Sequence, residues 1–316
     1  MTVDHHLLRE ALPPAPLGER VSVRRLRVNQ IMTVLMYCAC TLAVLPLGLI
    51  MWTVISHGLA VVDWHFLTHS MFRVDPDLSG GGIYHAIVGT VELTLLATGM
   101  AAPLGVLSAV YLTEYGRGGR FARILSVIVD VMTGVPSIVA GLFIYSAWIL
   151  VLGFPKSGLA GALALVILML PMVIRSSEEM LRLVPAELRE ASYALGVPRW
   201  RTIVKVVLPT ARPGIITGIT LGAARIMGET APLLLLVGIN QRIEFNPFAF
   251  GSTQAAQETL PTFIFEQFQV AAGATSSPAF GRAWGAALTL ILLILLLNLG
   301  ARVLVHTVAG RNWRRV

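Results

Sequence analysis

The chain has 316 residues, of which 55% are hydrophobic and 13% charged, with a mean hydropathy of +0.75. A water-soluble globule is excluded, because that composition lies far beyond the apolar share such domains carry. The net charge of +7 would suit a nucleic-acid partner, but its placement along the chain argues against one.

Residues 1–30 form a basic tail, and positions 1–20, rich in Pro and charge, read as disordered. The tail has no apolar core of a cleavable signal peptide. Six apolar runs follow, at 31–55, 83–113, 124–152, 159–174, 215–239 and 284–305. A hydrocarbon layer of about 30 Å needs roughly 20 helical residues, so each run is a candidate span and the fourth sits at the lower limit. Cys38 and Cys40 both fall in the first run; two residues apart on a helix they point to different faces and read as small hydrophobes. Pro103 and Pro136 predict tilts or breaks in the second and third runs. Glu92 and Asp130, in those same runs, suit hydrogen-bonded structural roles near a water interface. Thr133-Gly-Val-Pro136-Ser137-Ile-Val-Ala-Gly141 reads as a broken helix whose freed N–H groups can meet an anion.

Lys and Arg placement sets the orientation. With the N-terminus in the cytoplasm, segments 1–30, 114–123, 175–212 and 302–316 lie inside and hold five, three, seven and four basic residues, 19 of the 24. Segments 56–82, 153–158 and 240–282 lie outside and hold four, namely Arg73, Lys156, Arg242 and Arg282. Both termini are therefore expected in the cytoplasm. The basic clusters at 24–27 and 311–315 suit contact with lipid headgroups of the bilayer.

The stretch 185–209 falls inside on this count. Pro185 favours a helix start, Glu187 and Glu190 suit its first turns, and Gly196 can take the left-handed conformation that ends it. Pro198 then opens a second helix and Pro209 is expected to close it. Ala191 and Ser192 are small, so a partner surface can approach closely there.

In the fifth run Arg225 and Glu229 straddle the midpoint, Met227. A charge at that depth costs about 2.5–3.5 kcal/mol, so the pair must face protein or a wet cavity. At i and i+4 they share a face. Arg suits an oxyanion through its planar fork of donors, and Glu229 can compete for it, which keeps binding reversible. A purely structural ion pair is the alternative. The long outer segment 240–282 contains aromatic positions at 246–250, and Pro261 is expected to open a short amphipathic helix at the membrane surface. Docking of an external protein and simple interfacial anchoring both fit it.

No phosphate-cradling loop accompanies the only lysines, Lys156 and Lys205. His57, His65 and His69 read as a solvated outer loop rather than metal ligands. No catalytic residue, cofactor site or metal site is expected.

The stretch Glu190-Ala-Ser-Tyr-Ala-Leu-Gly196 … Leu208-Pro209 resembles the EAA cytoplasmic loop of ABC importer permeases. Glu190, Ala191, Gly196, Leu208 and Pro209 match in register, while Ser192 replaces the last Ala and Val206 the usual Ile. Gly89-Thr-Val-Glu-Leu-Thr-Leu, Pro103-Leu-Gly-Val-Leu-Ser-Ala-Val-Tyr-Leu-Thr-Glu-Tyr115, Val135-Pro-Ser-Ile-Val-Ala-Gly-Leu-Phe143 and Gly228-Glu-Thr-Ala-Pro-Leu233 resemble the PstA-type permeases of bacterial phosphate importers. Ala140 departs from the Tyr common there.

The resemblance covers residues 83–305 as a permease core, followed by a basic tail at 306–316. It implies an all-α membrane protein with six transmembrane helices and the type I ABC importer fold, working by alternating access in the bacterial cytoplasmic membrane. It also implies a second permease of PstC type, two cytoplasmic ATPase subunits carrying ATP and Mg, and an extracytoplasmic phosphate-binding protein, with no nucleic acid. Glu190, Ala191, Ser192, Gly196, Leu208 and Pro209 would then couple to the ATPase. Arg225, Glu229, Thr230 and Ser137 would line the path. A permease for sulfate or molybdate, or a secondary carrier working without ATP, are the alternatives.

Overall fold

The computed structural model of the chain describes residues 23–75, 78–116, 118–238, 241, 257–271 and 277–313. The tail at 1–20, the aromatic positions 246–250 and the end of the basic cluster at 314–316 lie outside them. Every element among the described residues is helical.

The chain divides into two compact units, Met1–Thr53 and Val54–Val316. Most of helix α1 (Val23–Gly58) belongs to the first. Ile31, Leu35, Tyr37, Leu42, Leu45, Leu49 and Trp52 are all exposed on it, so it is apolar around its whole circumference. Such a helix needs lipid or another chain as its solvent.

The second unit begins with the short α2 (Trp64–Thr68), capped by the Asp63 carboxylate accepting from the Phe66 N–H at 2.7 Å. The rings of His65 and His69 stack on it. Helix α3 (Tyr84–Val110) runs through Pro103 without a break and ends in a wide π-helical turn, Tyr111–Tyr115. Helix α4 (Arg120–Thr133) and helix α5 (Ser137–Ile144, extended by a π-turn over Tyr145–Val151) meet at a 108° bend. This is the break expected at Pro136, which opens α5 as its N-cap.

Helix α6 (Gly158–Arg182) is longer than the 159–174 apolar count suggested. Counting stops at the first charge, but Arg175, Glu178 and Arg182 pair at i+3 and i+4 and carry the helix on. It is followed by α7 (Ala186–Ala194), α8 (Arg199–Thr202) with a π-turn over Ile203–Val207, α9 (Leu208–Met227), α10 (Ala231–Leu236), α11 (Leu260–Ala271) and α12 (Pro278–Trp313). Among the described residues five helices are long and apolar enough to cross a membrane, and six if the bent α4–α5 pair is one span.

The core centres on α3 against α6, with Leu93, Ala97, Ala101, Ala160, Ala164, Leu165, Met169 and Val173 buried together. Small residues let the backbones close up, as membrane helices require for van der Waals packing. At Gly105 an added Cβ would sit 2.6 Å from Val173 Cγ1.

On the expected outer side, a strap at 257–259 is held between α3 and α6. A Cβ on Gly89 would lie 2.1 Å from the Glu258 carbonyl oxygen, and one on Gly158 would lie 2.2 Å from Gln257 Oε1. The Leu260 N–H donates to Thr90 Oγ1 at 2.8 Å, and the Gln257 amide donates to the Glu92 carboxylate. Glu92 thus has the structural hydrogen bond expected of it. Helix α11 starts around Pro261 as anticipated, but it does not simply lie on a surface. Leu260, Phe263 and Gln267 are buried, and the helix packs on α12 and α3. Buried Arg282 of α12 donates to Gln267 Oε1 at 2.8 Å and to the Leu78 carbonyl at 2.9 Å.

This strap region carries a pair of acids, Glu258 buried and Glu266 of α11 half-buried. His85 Nε2 lies 3.1 Å from Glu258 Oε2, both side chains being shielded from solvent. Burial pushes the Glu258 carboxyl up to about 7. Burial, the hydrogen bond to Glu258 and its charge push Glu266 up to about 8. Two carboxyls so placed share one proton near neutral pH. The folded state then holds that proton more tightly than the unfolded chain, whose carboxyls titrate near the ordinary 4.5. Stability from this cluster is fully present below that value and lost as pH rises through 7 to 8. The apparent Tm of the purified protein should fall between pH 6 and 9, and Glu266→Gln, which donates permanently, should flatten that fall.

Candidate coupling elbow and anion site

The elbow is α7, a turn and α8. Pro185 is the N-cap of α7 with Glu187 in its first turn, and Pro198 is the N-cap of α8, as their fixed φ favours. Gly196 takes φ +74°, and its N–H donates to the Tyr193 carbonyl at 2.9 Å. Nothing crowds Gly196, so a side chain there meets backbone strain alone. Gly196→Val should cost about 1–2 kcal/mol, read as a lowered Tm.

Glu190, Ala191, Leu195, Gly196 and Trp200 are exposed. Ser192 is not: its hydroxyl is buried 2.8 Å from Thr202 Oγ1 and locks α7 to α8. It therefore ties the two helices of the elbow together from within. Leu208 is half-buried and packs on Val207, Ala211 and their neighbours. Pro209 does not end a helix. The π-turn over Ile203–Val207, in which the Leu208 N–H reaches the Ile203 carbonyl, widens the turn before the proline ring. That absorbs the missing N–H and the steric clash. The result is one span of 29 residues, Arg199–Met227.

A contact that sequence inspection missed fixes the elbow to the bundle. Arg189 Nε and Nη2 lie 3.1 and 2.9 Å from Glu114 Oε1. Its remaining donors reach the Leu181 carbonyl at 2.9 Å and the Val184 carbonyl at 2.6 Å, closing the end of α6. The Glu114 side chain is 1% exposed and that of Arg189 12%. The one signal available was an acid in the otherwise uncharged Tyr-Leu-Thr-Glu-Tyr stretch. Its partner is 75 residues away.

A second hub joins α4 to α6. Arg175 donates to Glu178 at 2.6 Å, to Asp130, and to the hydroxyl and carbonyl oxygens of Ser126. Asp130 has the structural role expected of it.

At the other end of the 29-residue helix the chain breaks after Met227, passes Gly228, Glu229 and Thr230, and restarts as α10 with Pro232 in its first turn. Arg225 Nη2 lies 3.6 Å from Glu229 Oε1, too long for a hydrogen bond but a close ion pair. The Arg225 side chain is 55% exposed and that of Glu229 15%, so most guanidinium donors remain open to an anion. Helix α5 packs on α10, with a Cβ at Gly141 falling 2.8 Å from Pro232 Cα. Ser137 is one turn before Gly141 on α5, and Thr230 is the N-cap of α10. Ser137 forms no hydrogen bond to Arg225 or Glu229 among the described residues. Ala140 is 2% exposed in the α3–α6 core and lines no surface.

The geometry thus holds a surface elbow at one end of a rod and a half-open cation at the other. Residues 101–310, more than half of the chain, match the family of binding-protein-dependent transport system inner membrane components. A Mycobacterium tuberculosis protein, "Phosphate transport system permease protein PstA 1", is 47% identical over 295 residues, covering 93% of this chain and 92% of the relative. The Xylella fastidiosa protein of the same name without the numeral is 37% identical, covering 80% and 83%. A bacterial ABC transporter importing the polysaccharide alginate has a chain that superposes with a TM-score of 0.63 at 15% identity, covering 90% and 99%. The inward-facing MetNI methionine ABC transporter superposes at 0.54 with 20% identity, covering 72% and 94%. Both share the fold.

Proposed function

We infer the activity from a premise the relatives supply: this chain belongs to the binding-protein-dependent transport system inner membrane components. It is the multi-pass permease subunit of an ATP-driven phosphate importer, and ATP hydrolysis resides on a separate subunit. Transport proceeds by alternating access. The importer contains another permease, ATPase and binding-protein components. We assign these as a PstC-type permease, two cytoplasmic ATPases supplying ATP and Mg, and an extracytoplasmic phosphate-binding protein. Both termini are placed in the cytoplasm on the distribution of Lys and Arg.

The observation that carries the mechanism is the uninterrupted helix Arg199–Met227. Its lower end forms half of the elbow and its upper end presents Arg225. Closure of the ATPases on Glu190, Ala191 and the Gly196 turn moves the elbow. Ser192, Leu208 and Pro209 act behind that contact, by keeping the elbow and the rod in one piece. The rod then displaces Arg225 and the α5–α10 packing around Ser137 and Thr230, and the path opens.

Phosphate suits the Arg225 site better than sulfate or molybdate. Arg225 offers paired donors, while Glu229 accepts from a P–OH, which phosphate carries near neutral pH and the other anions lack. The test is reconstitution in proteoliposomes with the partner subunits. Phosphate uptake should require ATP and the binding protein, and excess sulfate should not compete. Uptake by this chain alone would overturn the assignment.

A further inference from the structure

We propose that a groove between α9 and α12 is a second binding site for a phosphate group, one stage inward of Arg225; this rests on the importer assignment above. The groove has a volume of about 370 Å3 and is lined by Thr217, Thr220 and Leu221 of α9 and by Asn298, Arg302 and His306 of α12.

The lining residues fall on two facing stripes. Thr217, Leu221 and Arg225 stand at i, i+4 and i+8 on α9, and all three are exposed. The groove therefore continues the face that carries Arg225, and eight residues of helix set Thr217 about 12 Å below it. Asn298, Arg302 and His306 have the same spacing on α12 and point cationic and amide donors across the groove.

The chemistry fits a protonated oxyanion. No carboxylate pairs with Arg302 among the described residues, whereas Arg189 and Arg225 each have one and Arg175 has two. Thr217 and Thr220 donate to the carbonyls of Pro213 at 2.9 Å and Ile216 at 2.8 Å, so toward the groove they offer lone pairs. Donors on one wall and acceptors on the other match a phosphate that still carries an O–H. Leu221 stands between Thr217 and Arg225 along α9, so the groove and the Arg225 donors are successive stages for an anion rather than one site. Anionic phosphate oxygens with an O–H donor beside them occur in solute phosphate leaving inward, through its own P–OH, and in the headgroup of phosphatidylglycerol, through its glycerol hydroxyls.

The test uses the whole reconstituted importer in bilayers of zwitterionic lipid alone and of zwitterionic lipid with phosphatidylglycerol. With Arg302→Gln combined with His306→Gln, maximal phosphate uptake should fall about tenfold in both bilayers. The half-saturating phosphate concentration should not change, because outer loading precedes this step. Arg302→Lys should restore more than half of the rate, which a merely structural defect would not allow. A loss confined to the phosphatidylglycerol bilayer, with retained anionic lipid vanishing from native mass spectra of the variant, would keep the site and identify the headgroup as its ligand. Wild-type rate together with unchanged lipid retention in the double variant would overturn the proposal. Failure of the wild type to import phosphate would instead sink the importer assignment.

Discussion

Arg225→Ala is expected to abolish phosphate uptake, a fall of at least about 100-fold, corresponding to roughly 2.7 kcal/mol at 1.36 per decade. The side chain is more than half exposed and among the described residues pairs only with Glu229, so the assembled complex should still form and hydrolyse ATP. Removing the cation leaves Glu229, 15% exposed, with a charge that then repels the substrate. Arg225→Ala with Glu229→Gln should therefore take up more phosphate than Arg225→Ala alone, though far less than the wild type. Arg225→Lys keeps the charge and loses the fork, so it should fall between wild type and Ala. Tracer uptake and ATP hydrolysis measured on one preparation check all three. Uptake by Arg225→Ala at the wild-type rate would reduce the pair to a packing element.

Arg189→Ala should have the largest effect on integrity. It strands a carboxylate that is 1% exposed and uncaps the carbonyls at the end of α6. Breaking a buried pair by removing one partner costs about 3–5 kcal/mol. Glu114→Ala should cost less, since Arg189 keeps its carbonyl partners. Because both residues serve one contact, the double variant should fall well short of the sum of the singles. The functional signature is uncoupling: ATP hydrolysis continues while uptake drops, since the elbow no longer bears on α3. Additive losses in Tm, with hydrolysis and uptake falling in parallel, would remove the strut from the mechanism. Arg189→Lys should not rescue, because a single ammonium cannot span a carboxylate and the carbonyls at Leu181 and Val184 together.

Much of the fold and of the elbow was legible in the order of residues. Prolines at helix starts and a glycine at a helix end have local causes, and Pro185, Pro198, Gly196 and the Pro136 break all stand where those causes put them. Pro209 misled because a proline's local rule is a stop, and only a wide turn in the preceding residues lets a helix pass it. The inward face of Ser192 and the burial of Ala140 depend on neighbours remote in sequence. Arg189 with Glu114, and the groove at Arg302, could not be read at all without a folded chain, since each joins residues at least 75 positions apart. Arg225 and Glu229 were visible because charge in an apolar run is conspicuous and i, i+4 spacing makes partners on a helix.

The π-turn over Ile203–Val207 also sets an angular phase. Each α-helical residue turns the chain by about 100°, so the surplus residue accommodated there decides which compass direction the exposed Trp200 and Leu195 take relative to the guanidinium at the far tip. Removing one residue from that turn would tighten it to ordinary winding and swivel the cytosolic footing by about that angle, with the packing above it undisturbed. A motor pushing on such a rotated footing would drive the shaft sideways, and the gate would stay closed despite every one of its own residues being intact.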